Sequence, residues 1–448
     1  MLHLIGNTPI VELTGFDTGL CRLFVKLEYQ NPGGSIKDRI ALSMIRDAEA
    51  RGVIQPGGTI VEATAGNTGL GLAFLATQKR YKLILVIPDK MSREKINHLR
   101  AMGAQIVITR SDVGKGHPSY YQDLAAEIAR TTPGAWYVNQ FGNPANAQAH
   151  EDTTAPEIWE QMQHDVDAVV CGVGSGGTIT GISRYFKRVA PKLEMVLADP
   201  AGSILAHYIK TKKVSTEVGS WLVEGIGEDF IPDILDVSNV HKAYTVSDKE
   251  SLLTARSLLK NVGILAGSSS GTLVAAALAY CKEQSSPKRV VTFICDSGNK
   301  YLSKMFNDFW MIERGFISRA KNNDLRDLIS RPYQEGAVIS LSPEDTLAKA
   351  YGDMKLYEVS QLPVLENDRI TGIIDEGDLL ESATKGLSLH TPVRQIMTTK
   401  LVTLTPDNTR EELLEVLNRG LTAIIQDDKS FYGLITRIDY INYLRNQV

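Results

Sequence analysis

The chain is poor in the features that mark several protein classes, and each lack narrows the field. It has only four cysteines, Cys21, Cys171, Cys281 and Cys295. They are scattered, form no Cys-x-x-Cys pair and sit mostly in apolar runs. That pattern fits buried, inert thiols in a reducing compartment better than a disulfide framework or a metal site. Apolar runs such as Leu273 to Cys281 are too short to span a bilayer. The opening Met1-Leu2-His3-Leu4-Ile5 lacks a charged n-region followed by an apolar h-region, so no secretion signal is expected and a cytoplasmic location is. Neither charge dominates: 48 basic residues face 52 acidic ones, a net charge of −4. That balance gives no reason to expect nucleic acid or an anionic membrane as a partner. With 448 residues of ordinary globular composition, two or more domains are expected.

Up to about residue 300, strand-like and helix-like stretches alternate. Residues 59–63, 83–87, 105–108, 168–171, 195–198 and 290–294 read as buried strands, with helical patterns such as 93–102 and 251–262 between them. This is the pattern of doubly wound parallel sheets, which bind ligands at the carboxyl ends of their strands. The most informative stretch is Asn31-Pro32-Gly33-Gly34-Ser35-Ile36-Lys37-Asp38-Arg39. It sets one amine after a glycine-bearing turn, at the start of a helix-compatible run. The positive end of a helix dipole disfavours an ammonium there, and a neutral lysine is a nucleophile able to form a Schiff base with an aldehyde. Two glycine loops follow strands and precede helices: Thr64-Ala65-Gly66-Asn67-Thr68-Gly69 and Gly172-Val173-Gly174-Ser175-Gly176-Gly177-Thr178. Without bulky side chains, their backbone N–H groups can close on an anion. The second fits neither the P-loop nor the dinucleotide fingerprint.

With Ile5-Gly6-Asn7-Thr8-Pro9 and Gly267-Ser268-Ser269-Ser270-Gly271, these runs make residues from about Leu4 to Phe316 resemble a fold-type II pyridoxal-phosphate enzyme of the cysteine synthase/cystathionine β-synthase group. The resemblance implies an α/β catalytic domain of two subdomains with doubly wound parallel sheets. It implies that Lys37 carries the Schiff base and that Gly174, Ser175, Gly176, Gly177 and Thr178 hold the cofactor phosphate. Asn67 then bonds the cofactor's 3′-oxygen, and Ser269 meets the pyridine nitrogen. As plain residues, Ser269 could equally cap a helix, and Gln140 could equally be a turn-flanking surface amide. Thr64, Gly66 and Thr68 are candidates to clamp a substrate carboxylate, and Gln140 is a further candidate on the substrate side. Ala65 departs from the serine expected there, which removes one donor. Glu224 and Gly225, with Gly227, are candidates for the acceptor side, or else a glycine turn with a solvated glutamate.

After Phe316 the composition turns polar, which reads as a linker over 317–331. Beyond it the chain repeats itself. Ser340 to Thr346 matches Thr403 to Thr409, and Ile370 to Asp378 matches Phe431 to Asp439. A repeat of about 60 residues is too small to bury its own core, so the two copies should pack as one α+β module. They resemble a tandem pair of CBS domains, giving expected copies at 332–388 and 389–448 after a catalytic domain at 1–316. In that family Gly-x-x-Thr-x-x-Asp places a hydroxyl and a carboxylate on an adenosine ribose. Thr436 and Asp439 match; the first copy has Asp375 where the hydroxyl belongs, with Asp378 retained. One adenosyl-type site is therefore expected, unless the module serves only packing.

The tandem module and three local runs (Asp199 to Leu205, Glu224 to Pro232, Phe309 to Phe316) look closer to the cystathionine-forming branch than to the cysteine synthases. The resemblance then implies a lyase of transsulfuration that condenses L-serine with L-homocysteine to L-cystathionine and water, working as a homodimer or higher homo-oligomer. Glu228 stands where an aromatic residue is typical of the animal enzymes, and its carboxylate would repel that of an acceptor. The haem-binding extension of those enzymes is missing ahead of Ile5, so pyridoxal phosphate is expected without haem or metal. The alternatives are a cysteine synthase using O-acetylserine and sulfide, a serine or threonine dehydratase, and a catalytically degenerate nucleotide sensor.

Overall fold

The computed structural model describes every residue of the chain except 65, 90–92, 115, 216, 320 and 446–448. The chain divides into two compact units, Met1–Phe306 and Asn307–Val448. The boundary falls before the Phe316 expected from the sequence, so the short helix Asp308–Glu313 belongs to the second unit.

Among its described residues the first unit carries ten strands: β1 (Ile10–Glu12), β2 (Arg22–Leu27), β3 (Thr59–Ala63), β4 (Lys82–Pro88), β5 (Gln105–Thr109), β6 (Ala135–Tyr137), β7 (Ala168–Gly172), β8 (Glu194–Pro200), β9 (Val240–Val246) and β10 (Arg289–Ile294). They form two sheets. One runs β5-β4-β3-β6 and is wholly parallel. The other runs β1-β2-β10-β7-β8-β9 and is parallel except for β1, which pairs antiparallel with β2. The expected doubly wound parallel sheets are therefore present. The helices Lys37–Ala50 and Asn67–Lys79 bury Ile40, Met44, Leu72 and Leu75 with Leu83 and Leu85 of the first sheet. The second sheet packs Val169, Val170, Val196 and Val291 with Ile179, Ile182, Val274 and Ala277 from the helices Gly177–Val189 and Ser268–Lys282.

β2 escaped the sequence reading for a physical reason. Its fifth residue is Lys26, whose side chain is 0% exposed, and a charge in mid-strand breaks the apolar pattern of a parallel sheet. The charge is tolerated because Lys26 Nζ lies 2.8 Å from Glu157 Oε2 and donates to the Thr8 carbonyl and to Gln161 Oε1, each at 2.9 Å. Glu157 also takes the Arg39 guanidinium at 2.7 Å, and Arg39 reaches Glu28 Oε1 and Oε2 at 2.8 Å. Four charges thus neutralise one another in the interior, joining β2, the loop at Thr8, the helix that begins at Lys37 and the helix Ala155–Gln161.

In the second unit the two copies repeat one scheme. Thr346 and Thr409 each cap a helix, Leu347–Tyr357 and Arg410–Asn418, through the side-chain oxygen. Each is followed by an antiparallel strand pair, 361–366 with 369–375 and 423–426 with 431–435. The stretch expected to be a linker is partly core: Leu325, Leu328 and Ile329 are buried against Leu413, Leu417, Ile425 and Ile435. Its polar composition hid three apolar residues at a spacing that a short 3-10 turn, Leu325–Leu328, can present to one side.

Buried charge should register in the stability of the first unit at two places. Arg39→Ala leaves Glu28 and Glu157 without their shared cation, and breaking a buried pair this way costs roughly 3–5 kcal/mol; urea unfolding of the two proteins should show a loss of that order. Glu62 lies within β3, 0% exposed, its carboxylate accepting from the N–H groups of Ala63 (2.8 Å) and Gln140 (3.2 Å). Burial nevertheless pushes its carboxyl up to about 8 from 4.5. The folded state then keeps a proton that the unfolded chain has released, so this stabilisation is complete below pH 4.5 and lost as pH rises through about 8. Glu62→Gln should flatten that part of the stability profile; an unchanged slope would show that Glu62 does not titrate there.

Candidate active site

The carboxyl ends of β3, β7 and β10 open onto one cavity of about 650 Å³, lined among others by Lys37, Asn67, Gln140, Ser175, Glu224 and Ser269. Lys37 is the first residue of its helix. Burial is the leading cause that lowers its pKa; the Cys295 thiol and the Glu228 and Asp296 carboxylates pull the other way. Burial itself pushes the Cys295 thiol up to about 12, so it stays protonated and the opposing pull falls to the carboxylates. The sequence reading gave the helix end as the reason for a neutral amine; the structure gives desolvation. Beside Lys37, Asp38 turns back to accept the Gly33 N–H. A Cβ on Gly33 would sit 2.4 Å from Asp38 Oδ1, which fixes glycine at that position.

Asn67 opens the helix Asn67–Lys79. Its amide is held from both ends: Oδ1 accepts from Lys300 Nζ at 2.6 Å and Nδ2 donates to Asp296 Oδ2 at 2.9 Å. Tyr301 donates to the same carboxylate oxygen at 3.0 Å. One Nδ2 hydrogen is thus left for a ligand. The motif around Ser269 resolves in the same manner. The helix is capped by Gly267, not by Ser269. Ser268 Oγ accepts the Glu224 N–H at 3.0 Å and Ser270 Oγ the Cys295 N–H at 2.9 Å. The outer two serines brace neighbouring segments, and the middle one lines the cavity.

Gly174, Ser175, Gly176 and Thr178 line the cavity at the start of the helix Gly177–Val189. Gly176 has φ +90°, open to glycine at no strain. Gly177 is not among the lining residues. Its missing side chain instead makes room for Asn146, whose Oδ1 would lie 1.9 Å from a Cβ there.

On the opposite wall, Thr64, Gly66, Thr68 and Gln140 come together as the sequence suggested, but several of their donors are engaged. Thr64 N–H donates to the Val86 carbonyl, Gly66 N–H to Thr64 Oγ1 and Thr68 Oγ1 to Gln140 Oε1 at 2.7 Å. That last bond turns Gln140 Nε2 into its free end. Gln140 is 6% exposed and no surface amide. Ala65 lies outside the described residues. Glu224 is not the solvated turn residue of the simpler reading. Lys95 and Lys304 (2.8 Å) both pair with it; burial pushes its carboxyl up, and the two ammonium groups outweigh that and hold it below its ordinary value. Gly225 places its carbonyl 2.6 Å from where a Gly174 Cβ would be, and Glu228 Oε1 lies 3.9 Å from the same point. Sequence reasoning missed Lys95, Lys300, Lys304, Asp296 and Asn146, none of which belongs to a glycine motif.

In the second unit a cavity of about 690 Å³ is lined by Thr436 and Asp439 together with Arg331, Ser360, Gln361 and Thr422. Thr436 and Asp439 also bond each other: Thr436 N–H and Oγ1 both donate to Asp439 Oδ2. Asp375 and Asp378 form a reciprocal helix cap and are not among the lining residues. Among the described residues there is no helix long and apolar enough to cross a membrane and no cluster of three potential metal ligands.

Comparison with known proteins agrees with these two halves. The family of pyridoxal-phosphate dependent enzymes matches residues 1–296, and the CBS domain matches 325–385 and 393–446. A Dictyostelium discoideum protein named cystathionine beta-synthase is 35% identical over 99% of this chain and 92% of its own. Cysteine synthase 1 of Neurospora crassa is 40% identical, over 70% of this chain and 84% of its own. The crystal structure of a hydrogen sulfide-producing enzyme from Fusobacterium nucleatum superposes with a TM-score of 0.63 at 37% identity, covering 67% of this chain and 98% of that one. A half-buried amine whose pKa desolvation lowers, sharing a cavity with a glycine-rich cradle in a chain matched this widely, carries the assignment: the protein belongs to the pyridoxal-phosphate dependent enzymes and bears a tandem pair of CBS domains.

Proposed function

We propose that the chain condenses L-serine with L-homocysteine to give L-cystathionine and water. The observation that carries this reading is the match to proteins of that name over both units, whereas the cysteine synthase match covers 70% of the chain. When bound, pyridoxal phosphate supplies an aldehyde for amines and an electron sink that loosens a Cα proton and a β-substituent. The residues fit that group. Lys37 offers a half-buried amine whose pKa desolvation lowers, Ser269 a hydroxyl that does not force a ring nitrogen to carry a proton, and Gly174, Ser175, Gly176 and Thr178 a cradle of N–H and hydroxyl donors. Gly177 contributes its backbone from the first helical turn.

Lys37 would hold the cofactor covalently, and its amine, once freed, is the base for the Cα proton of serine and, as the ammonium, the acid that returns it. Asn67, its amide fixed by Lys300 and Asp296, turns its remaining N–H to the cofactor's 3′-oxygen. The free Nε2 of Gln140, the Thr64 hydroxyl and the Thr68 N–H are the donors left for the serine carboxylate. Glu224, locked between Lys95 and Lys304, lines the acceptor side with Gly225. We further propose that the cavity at Thr436 and Asp439 takes an adenosyl ligand and that the protein works as a cytoplasmic homo-oligomer.

Purified protein should be yellow and should convert serine plus homocysteine faster than O-acetylserine plus sulfide, with the products identified by mass spectrometry. Lys37→Ala should lose both the visible absorbance and turnover; retained turnover would overturn the assignment. Titration calorimetry with S-adenosylmethionine, AMP and ATP should give heat with one of them that disappears in Asp439→Ala. No heat from any would leave the second unit with a packing role.

A further inference from the structure

We propose that Asn146 and His150 are positioning residues that aim the hydroxyl hydrogens of Ser175 and Thr178 into the cradle. The inference rests on the reading of residues 174–178 as the phosphate site. Asn146 and His150 are 1% and 0% exposed and stand four residues apart, on one face of a helical stretch. That stretch runs from Pro144–Ala149 into a π-turn, His150–Thr154. It lies unusually close to the cradle helix. A Cβ on Gly177 would sit 1.9 Å from Asn146 Oδ1, and one on Gly181 would sit 2.2 Å from the Ala147 carbonyl. Two bare positions about a turn apart make that approach possible.

The hydrogen bonds explain its use. Asn146 Nδ2 spends both hydrogens, on the Gln140 carbonyl at 2.8 Å and on Ser175 Oγ at 2.9 Å. Its Oδ1 has no partner among the described residues, so the amide serves through what it donates. Because Ser175 Oγ accepts there, its own hydrogen is directed elsewhere, and the cavity is what it faces. His150 bridges two hydroxyls, Nδ1 to Thr154 Oγ1 at 2.9 Å and Nε2 to Thr178 Oγ1 at 3.2 Å. Burial pushes it well below its ordinary range and so keeps it neutral, which gives it one donor and one acceptor nitrogen. A phosphate only accepts. The arrangement that serves it has Nε2–H donating to Thr178 and the Thr154 hydroxyl donating to Nδ1, which leaves the Thr178 hydrogen for the anion.

The test measures pyridoxal phosphate affinity of the apoprotein and the ³¹P resonance of the bound phosphate, neither of which needs turnover. Ser175→Ala and Asn146→Ala should each weaken binding about tenfold, and the double variant should be no weaker than the weaker single one. His150→Gln, which can still donate to Thr178, should retain the wild-type affinity and resonance, whereas His150→Phe should lose both. Additive losses at 146 and 175, or a Phe variant that binds like wild type, would overturn the inference. Thermal unfolding of each apoprotein identifies variants that fail to fold. Asn146→Asp, of equal size, then serves in place of the alanine: it presents an acceptor to Ser175, and undiminished affinity would be equally fatal. A wild-type chain that bound no pyridoxal phosphate would remove the proposed function and this inference together; normal binding with additive losses would remove the inference alone.

Discussion

The guanidinium of Arg39 is the contact on which the site depends. It sits two residues beyond Lys37 and grips Glu28 and Glu157 together, and Lys26 completes the charge balance. Desolvation lowers an amine's pKa most where the backbone cannot relax to return it to water. The helix carrying Lys37 is therefore pinned within its first turn to β2, on the second sheet, while its apolar face packs on the first. Removing four charges from water is expensive, and the geometry has to repay it in full. Every carboxylate oxygen of Glu28 and Glu157 has a donor, which is how the interior accommodates them.

The electrostatics of the cavity divide by wall. Residues 172–178 contain no cation, so an anion there is bound by dipoles alone: N–H groups of a helix start and two hydroxyls. A hydroxyl has a single hydrogen to give, and a donor behind it that occupies a lone pair leaves that hydrogen for the anion, which makes the residues behind the cradle matter. The cations stand elsewhere. Lys95 and Lys304 are committed to Glu224, and Lys300 to Asn67. Glu228, on the cradle side of Gly225, adds negative charge close to Gly174 and favours the ammonium of Lys37. Its carboxylate opposes both the approach of an anionic group and the effect of desolvation on the Lys37 amine.

The sequence revealed the elements that obey simple periodicity. The apolar runs of β3, β4, β5, β7, β8 and β10, and the glycine turns after β3 and β7, were legible because a parallel sheet buried on both faces needs continuous apolar strands and its βα turns need small residues. β2 was hidden by Lys26, and the core residues Leu325, Leu328 and Ile329 by polar neighbours. In the site, the motif residues were legible as types but not as bonds. Ser268, Ser269 and Ser270 are indistinguishable in sequence, and only their neighbours Glu224 and Cys295 separate the two structural hydroxyls from the one that faces the cavity. The residues that orient the motifs, such as Asp296, Lys300 and Asn146, come from distant parts of the chain and leave no local signal.

Glycines and threonines in a recognised motif also serve the fold, and the second unit shows why motif and site should be judged apart. Thr-x-x-Asp before a helix is a ligand pattern and equally a capping pattern, since a side chain three residues into the helix can reach back to the residue before it. Asp439 does this with Thr436, and Asp378 does it with Asp375. Retention of the aspartate in both copies is therefore accounted for by helix starts alone. What distinguishes the second copy is space: a cavity of about 690 Å³ reaches Thr436 and Asp439, with Arg331 on its wall. A ligand bonded to Asp439 Oδ2 would share it with the Thr436 hydroxyl and N–H, which would couple occupancy of the cavity to the start of the helix Arg437–Arg445.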